Sequence, residues 1–150
     1  MKIVATNKKA FQNFHLFQTW ECGIVLNGAE VKSIRNQGIN FKDSFAHLEE
    51  GEIYLYNLHI PPYAQASYQN ENPDRERKLL LHRKEIQKII GQVSQKNYTL
   101  VPTKIYFNSR GLVKVEIALA KGKKLYDKRE DIKKREIERG LKRMMRQKRQ

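Results

Sequence analysis

Apolar and β-branched residues occur along the first 120 residues in short runs separated by turn-forming residues, which is typical of a small β-rich domain. The run Thr19–Leu26 predicts a strand, and Asn27-Gly28 behind it reads as a turn. Two further runs, Ser44–Leu48 and Ile53–Leu58, predict strands joined as a hairpin through Glu49-Glu50-Gly51-Glu52. Sheet structure therefore accounts for most of the body.

One amphipathic helix is predicted over Arg83–Gln95. Four apolar side chains in it recur at i, i+3, i+4 and i+7 and so share one face. They are Ile86, Ile89, Ile90 and Val93. Charged and amide side chains cover the opposite face, so we expect this helix to lie on the surface of the core.

Two more strands, Thr99–Phe107 and Leu112–Ala120, are predicted on either side of a polar turn. In the second, apolar residues alternate with Lys114 and Glu116, which indicates one buried and one wet face. Short antiparallel strands with one helix suggest a small, closed or nearly closed barrel. The oligonucleotide-binding (OB) barrel is the commonest such shape that binds nucleic acid, so an OB-like barrel is expected here by analogy.

The charge is large and uneven. Thirty Lys and Arg stand against 16 Asp and Glu, a formal net charge of +14. Residues 121–150 hold 14 basic and 5 acidic residues, so this stretch carries +9 and residues 1–120 carry the remaining +5. Such an excess favours a polyanionic partner, because each neutralised phosphate releases counterions. We therefore divide the chain into a body, 1–120, and a basic tail, 121–150.

The tail is too polar to build a core of its own, so we expect it to be disordered when alone. Four apolar residues in it nevertheless recur at i, i+4, i+7 and i+8. They are Ile137, Leu141, Met144 and Met145. The stretch is expected to become an amphipathic helix on a partner, the alternative being a solvated charge run with chance periodicity.

Candidate chemistry is sparse. The N-terminus turns charged before an apolar signal core forms, so a cytoplasmic location is expected, and no stretch of the body is long enough to span a membrane. Cys22 is alone and reads as a core residue, and the four histidines lack metal-ligand spacing. We predict no enzyme activity, no cofactor and no metal. The alternative, a metal-dependent nuclease, needs several carboxylates brought together by the fold.

Basic and aromatic residues are more informative. Arg75-Glu76-Arg77-Lys78 leads into an apolar run before the helix, and Lys121-Gly122-Lys123-Lys124 follows the last strand. Each cluster alone is a weak signal, since basic runs are often only solubilising. Together they predict a track for an RNA backbone. Tyr63 and Tyr68 are candidates for stacking on bases, and Tyr54 and Tyr56 for packing in the hairpin.

A set of motifs running in order over residues 5–130 resembles the SsrA-binding protein family, also called small protein B, the bacterial partner of transfer-messenger RNA. The matching segments are Asn7-Lys8-Lys9-Ala10, Glu21-Cys22-Gly23-Ile24, Gly28-Ala29-Glu30-Val31-Lys32-Ser33-Ile34-Arg35, Asp43-Ser44-Phe45, Arg77-Lys78-Leu79-Leu80-Leu81-His82, Tyr98-Thr99-Leu100-Val101-Pro102 and Ala120-Lys121-Gly122-Lys123-Lys124-Leu125-Tyr126-Asp127-Lys128-Arg129. The fold that this resemblance implies is an OB-like β-barrel with flanking helices.

The resemblance implies that the body binds the tRNA-like domain of transfer-messenger RNA. The protein would deliver that RNA to stalled ribosomes for trans-translation, tagging of the nascent chain and ribosome rescue. The protein would contact the ribosome at the small-subunit decoding region and the mRNA channel. It would be linked to alanyl-tRNA synthetase and elongation factor Tu through the RNA. A ribosomal or other structural RNA-binding protein with a basic extension is the alternative.

The resemblance also assigns residues. The RNA-binding surface would comprise Asn7, Lys8, Glu21, Lys32, Arg35, Lys78, Leu80, Lys121, Lys123 and Lys124. Glu21 would accept hydrogen bonds from base or ribose donors, or orient a neighbouring cation. Leu80 has a second interpretation, as a core residue. The part that reads the ribosome would comprise Asp127, Lys128 and Arg129 with the apolar tail residues Ile137, Leu141, Met144 and Met145.

Overall fold

The computed structural model describes residues 1–63, 72–96 and 98–123. Seven strands and three helices lie within these ranges. In chain order they are β1 (Lys2–Thr6), α1 (Lys8–Asn13), β2 (Phe14–Ile24), α2 (Gly28–Asn36), β3 (Phe45–Glu49), β4 (Glu52–Tyr56), β5 (Arg77–Leu80), α3 (Arg83–Lys96), β6 (Thr99–Phe107) and β7 (Val113–Gly122).

The strands form a closed antiparallel ring. The neighbours run β6-β3-β4-β5-β2-β7, and β7 pairs back onto β6, while β1 joins β6 outside the ring. A closed ring leaves few strand edges exposed to other chains. The predicted fold class, a mainly β, OB-like barrel with flanking helices, is confirmed.

Strand β6 is shared by three partners, and Asn7 fills the gap between two of them. Along one edge of β6, Leu100 pairs with β3 and Lys104–Phe107 pairs with β1. Between them, the backbone N–H of Asn7 donates to the carbonyl of Thr103 at 2.7 Å, and Asn7 Nδ2 donates to the carbonyl of Pro102 at 2.8 Å. Asn7 thereby supplies hydrogen-bond donors to two β6 carbonyls that lie between the residue paired with β3 and the residues paired with β1.

The core fills the ring, with α3 lying against it. Ile105, Val115 and Ile117 on the last two strands are fully buried, so the alternation predicted for β7 is confirmed there. Ile86 and Ile89 of α3 are buried in the same cluster, and Val93 packs against it. Ile90 differs from the prediction, since 38% of its surface is exposed at the edge of the apolar stripe.

Asn27-Gly28 begins a helix, so the turn predicted there was wrong. The Asn27 side chain accepts a hydrogen bond from the backbone N–H of Glu30 at 2.8 Å, and Glu30 Oε1 accepts one from the backbone N–H of Asn27 at 3.1 Å. This reciprocal pair is a capping box, which satisfies two of the N–H groups that a helix start leaves open. Gly28 occupies the first position of α2.

The hairpin prediction is confirmed: β3 and β4 pair from Phe45–Tyr56 to Glu49–Glu52. Glu50 and Gly51, between the last pair, both have positive φ, at 50° and 79°, as a tight two-residue connection requires. Strands β1 and β5 and helix α1 were not predicted, and β7 continues two residues beyond the predicted end, to Gly122.

A buried ion pair joins α2 to the start of β5. The guanidinium of Arg77 is fully buried, with Nε and Nη2 at 2.7 and 2.6 Å from Glu30 Oε2 and Nη1 at 2.6 Å from the carbonyl of Leu58. Arg75 binds the other Glu30 oxygen. Burial alone would raise the pKa of Glu30, but the hydrogen bonds from Arg75 and Asn27 and the charge of Arg77 hold it below its usual value.

Candidate nucleic-acid interface

Four strands present a continuous outer face, and one row of residues crosses it. Leu80 on β5 pairs with Gly23 on β2, Gly23 pairs with Lys114 on β7, and Lys114 pairs with Tyr106 on β6. Residues in register on neighbouring strands have Cβ atoms about 4.5–5.5 Å apart. Three distant parts of the chain therefore meet here.

A second row lies beside the first and is rich in charge. Glu21 on β2 pairs with Glu116 on β7, and Glu116 pairs with Lys104 on β6. Two carboxylates directly opposite each other repel. Each has a partner: Glu21 Oε2 accepts a hydrogen bond from the Tyr106 hydroxyl, and Glu116 accepts one from Thr103 Oγ1 and lies 4.0 Å from Lys104 Nζ.

Tyr106 holds the Glu21 carboxylate in place. Only 4% of the Tyr106 surface is exposed, yet its hydroxyl reaches the exposed Glu21. Burial, the hydrogen bond to Glu21 and the charge of Glu21 all raise the pKa of Tyr106, so the phenol stays protonated and donates. This bond fixes the direction of the Glu21 carboxylate. Among the described contacts no protein group donates to its other oxygen, Oε1. A carboxylate oxygen so placed can accept hydrogen bonds from N–H or O–H groups.

The face contains a cleft, which we call the polar cleft, of about 320 Å³. Its lining residues are Glu21, Gly23, Leu80, Leu81, His82, Glu85 and Lys114. The mixture of one cation, two carboxylates and an imidazole suits a ligand that offers both phosphate oxygens and hydrogen-bond donors, as RNA does through its bases and 2′-hydroxyls.

Leu80 lies on this face with 51% of its surface exposed, so the interpretation of Leu80 as a core residue was wrong. Leu79, beside it, is the core residue. Gly23 makes room for Leu80: a Cβ built on Gly23 would lie 3.2 Å from the Leu80 Cβ. Lys78, two residues earlier on β5, pairs with Tyr54, and its ammonium lies 3.8 Å from Glu52 Oε2.

Lys114 belongs to this group, although it was not predicted as a site residue. It lines the polar cleft together with Glu21 and Leu80. In the sequence it is a polar residue alternating with apolar ones, and it reads as the wet side of a strand. Only the register of β2, β5 and β7 reveals its neighbours.

Asn7 and Lys8 lie elsewhere. Asn7 is 7% exposed, and the amide nitrogen of its side chain is used on β6, so its observed contacts are structural. Lys8 is exposed at the start of α1 and lines a separate shallow cleft, of about 260 Å³, with Lys9, Asn40 and Lys42. Their RNA contacts stay predictions.

Lys32 and Arg35 are exposed on α2. The Arg35 guanidinium lies 5.5 Å from the centre of the Phe107 ring, a cation–π contact that fixes it near the end of β6. Neither Lys32 nor Arg35 lines the polar cleft.

Lys121 and Lys123 lie at the far end of the β2–β7 ladder from the polar cleft. Lys121 pairs with His15, and the backbone N–H of Lys123 donates to the carbonyl of Asn13 at 2.9 Å. The structure therefore does not bring them together with Glu21. Lys124 and the tail residues Asp127, Lys128, Arg129, Ile137, Leu141, Met144 and Met145 lie outside the described residues, as does Tyr68.

Signs of other chemistry are few along the described residues. Cys22 is fully buried, and burial together with Glu85 and Glu21 raises its pKa to about 12, so it stays a thiol in the core. In the described ranges His, Cys, Asp and Glu form no group of three suited to a metal ion. Nor is any helix described there both long and apolar enough to cross a bilayer.

Comparison with known proteins gives a consistent result. The family model described as "SmpB protein" matches residues 4–147. The SsrA-binding protein of Thermosipho melanesiensis is 60% identical over 141 residues, which cover 94% of this chain and 96% of the relative. That of Thermoanaerobacter pseudethanolicus is 55% identical over 148 residues, 99% of this chain and 94% of the relative.

A solved structure is similar as well. A chain from the structure described as "tmRNA-SmpB: a journey to the center of the bacterial ribosome" superposes with a TM-score of 0.69 at 48% sequence identity. The superposition covers 85% of this chain and 93% of that chain.

Proposed function

The chain belongs to the SmpB family of SsrA-binding proteins, and we therefore propose that it binds transfer-messenger RNA and takes part in trans-translation. It recognises the tRNA-like domain of that RNA and brings it to stalled ribosomes, where the nascent chain is tagged and the ribosome released. The observation that carries the proposal is the match over residues 4–147, joined to a fold like that of a chain in a tmRNA–SmpB ribosome structure.

The outer face of the barrel supports an RNA partner. The polar cleft offers the Lys114 ammonium to phosphate and the Glu21 carboxylate to base or ribose donors. Phosphate contacts position a protein on RNA, whereas contacts to base edges and hydroxyls select which RNA is bound. Glu21 therefore contributes selectivity, and Lys114 contributes affinity.

The basic tail supports the second half of the function. Residues 121–150 carry a net charge of +9, which attracts this segment to the phosphates of ribosomal RNA. We propose that the body holds transfer-messenger RNA while the tail enters the vacant mRNA channel and forms a helix there. The partners are thus the RNA and the ribosome, with alanyl-tRNA synthetase and elongation factor Tu reached through the RNA, all in the cytoplasm. The protein acts by binding and carries out no reaction.

The test is a gel-shift titration of the purified protein against transfer-messenger RNA at physiological salt, with bulk tRNA as competitor. Binding that survives a large excess of tRNA supports the proposal. If tRNA competes equally well, the chain is a general RNA binder, and the alternative of a structural ribosomal protein gains ground. Incubating the RNA with the protein and Mg²⁺ checks for cleavage, which the proposal excludes.

A further inference from the structure

A second concavity adjoins the polar cleft and is lined mainly by apolar residues; we call it the apolar pocket. Its volume is about 260 Å³. It is lined by Gly23, Ile24, Leu26, Val31, Leu80, Gly111, Leu112, Val113 and Lys114. It therefore lies where the end of β2, the start of α2 and the β6–β7 hairpin meet.

Two leucines at this pocket are unusually exposed. Leu112 has 55% of its surface exposed and Leu80 has 51%, while Val25, next along the chain from the lining residue Ile24, has 45%. A single exposed leucine is ordinary. Exposed apolar side chains gathered around one concavity mark a place where a partner is bound.

The apolar pocket and the polar cleft share three residues, Gly23, Leu80 and Lys114. A ligand that occupies the polar cleft therefore touches the rim of the pocket. Lys114 is the charged lining residue of the pocket, and it offers a cation where the two concavities join. An occupant with an apolar surface and an adjacent anion matches this arrangement.

We propose that the apolar pocket holds one unstacked nucleobase of the bound RNA, lying against Leu80 and Leu112 with the adjoining phosphate on Lys114. This rests on the proposed RNA-binding function. An unpaired base has two wide apolar faces and is joined to a phosphate, and sequence-specific recognition of RNA uses mainly such splayed-out bases. Continuity with the polar cleft favours a base over a protein segment or a second copy of this chain.

The closing experiment measures binding of the full chain to the transcribed tRNA-like domain of transfer-messenger RNA by fluorescence polarisation over a salt series. We expect Leu112→Asn to weaken binding about fivefold without changing the salt dependence, because apolar contact is lost and no phosphate contact is. Leu112→Met should keep wild-type affinity. Ile90→Asn, which changes a partly exposed apolar residue on α3, should change binding by less than about twofold. Thermal melting of each variant checks that the fold is kept.

Chemical probing of the bases tests the identity of the occupant. One unpaired base should be protected by the wild-type protein and should regain reactivity with Leu112→Asn. Unchanged affinity and unchanged protection in Leu112→Asn would overturn the pocket while leaving the RNA-binding function intact. A self-association seen by sedimentation and lost in Leu112→Asn, with RNA binding unaffected, would also overturn it in favour of a second copy. If the wild-type chain does not bind this RNA, the proposed function itself fails, and the base pocket with it.

Discussion

The hydroxyl of Tyr106 on β6 donates a hydrogen bond to Oε2 of Glu21 on β2, which joins residues 85 positions apart across the intervening strand β7. An exposed carboxylate on a flexible side chain would otherwise sample several rotamers. Because Tyr106 is buried up to its hydroxyl, it is a fixed donor that limits Glu21 to one direction.

Replacing Tyr106 with Phe should therefore weaken RNA binding by removing the restraint on Glu21. A typical hydrogen bond contributes about 1 kcal/mol net, and if this restraint is worth as much to binding we expect about a fivefold loss of affinity. The measurement is a double-mutant cycle with Glu21→Gln. Losses that fail to add identify Tyr106 as a positioning residue. Strictly additive losses would mean that the two residues act separately.

Gly23→Ala should move Leu80. The added Cβ would lie 3.2 Å from the Leu80 Cβ, closer than an ordinary contact, so the Leu80 side chain must shift on the outer face. We expect a severalfold loss of RNA affinity with a small loss of stability. Gly91→Ala in α3 is the matched control, because nothing lies within 4 Å of its added Cβ. That variant should be more stable by about 0.5–1 kcal/mol and bind RNA normally. Equal binding by both variants would show that Leu80 does not contact the RNA.

The Glu30–Arg77 pair predicts loss of stability in acid. The pKa of Glu30 is lowered in the folded state, so its contribution is complete above the unfolded value of about 4.3 and is lost as pH falls through the folded pKa. Glu30→Gln leaves the buried Arg77 without its carboxylate and should cost about 3 kcal/mol at pH 7.

Urea unfolding at a series of pH values measures this. The free-energy difference between wild type and Glu30→Gln should shrink once the pH falls below about 4.3. Asp74→Asn is the control: Asp74 also has a lowered pKa, through hydrogen bonds from His59 and Lys42, but it lies at the surface. A gap between wild type and Glu30→Gln that is constant with pH would contradict the ion-pair account.

Lys114→Met should reduce the salt dependence of RNA binding. Each phosphate contact contributes about one to the slope of log affinity against log salt, so the slope should fall by about one. Lys104→Met is a useful comparison, because Lys104 is already engaged by Glu116 and lies over the ring of Tyr106. An unchanged slope in Lys114→Met would remove Lys114 from the phosphate contacts.

Deleting residues 131–150 should separate the two halves of the function. The shortened protein keeps the barrel and should bind isolated transfer-messenger RNA nearly as well as the full chain. Tagging of nascent chains on stalled ribosomes should be abolished, since the segment proposed to read the channel is gone. Equal loss of RNA binding and tagging would instead make the tail part of the RNA site.

Local sequence signals predicted the elements that depend on local chemistry. The apolar stripe of α3 and the Glu50-Gly51 connection are examples, because a helix face and a tight turn are determined by neighbours in the chain. Helix α2 was missed because Asn27-Gly28 also fits a turn, although Asn27 followed three residues later by Glu30 has the spacing of a capping box. Strand β1 and helix α1 had no comparable local signal.

The candidate site was only partly predictable for a different reason. Glu21, Lys78 and Leu80 followed from resemblance, whereas Lys114 followed from neither pattern nor resemblance. Its place is set by long-range register, Gly23 with Lys114 and Leu80 with Gly23, which no local window contains. The same register separates Lys121 from Glu21, although both were assigned to one surface.

The pairing of β2 with β7, and of β6 with β1, β3 and β7, also determines at what point of its synthesis the chain can close its barrel. Until residues 99–122 have been made, β2 has only its short pairing with β5, and the β3–β4 hairpin pairs only with β5, so the ring stays open. Such long-range contacts make folding late and slow relative to a local fold. The outer face, with Glu21 on one early strand and Lys114 on the last, cannot form on a partly made chain. Each newly made molecule thus acquires its RNA surface only after β7 has been translated.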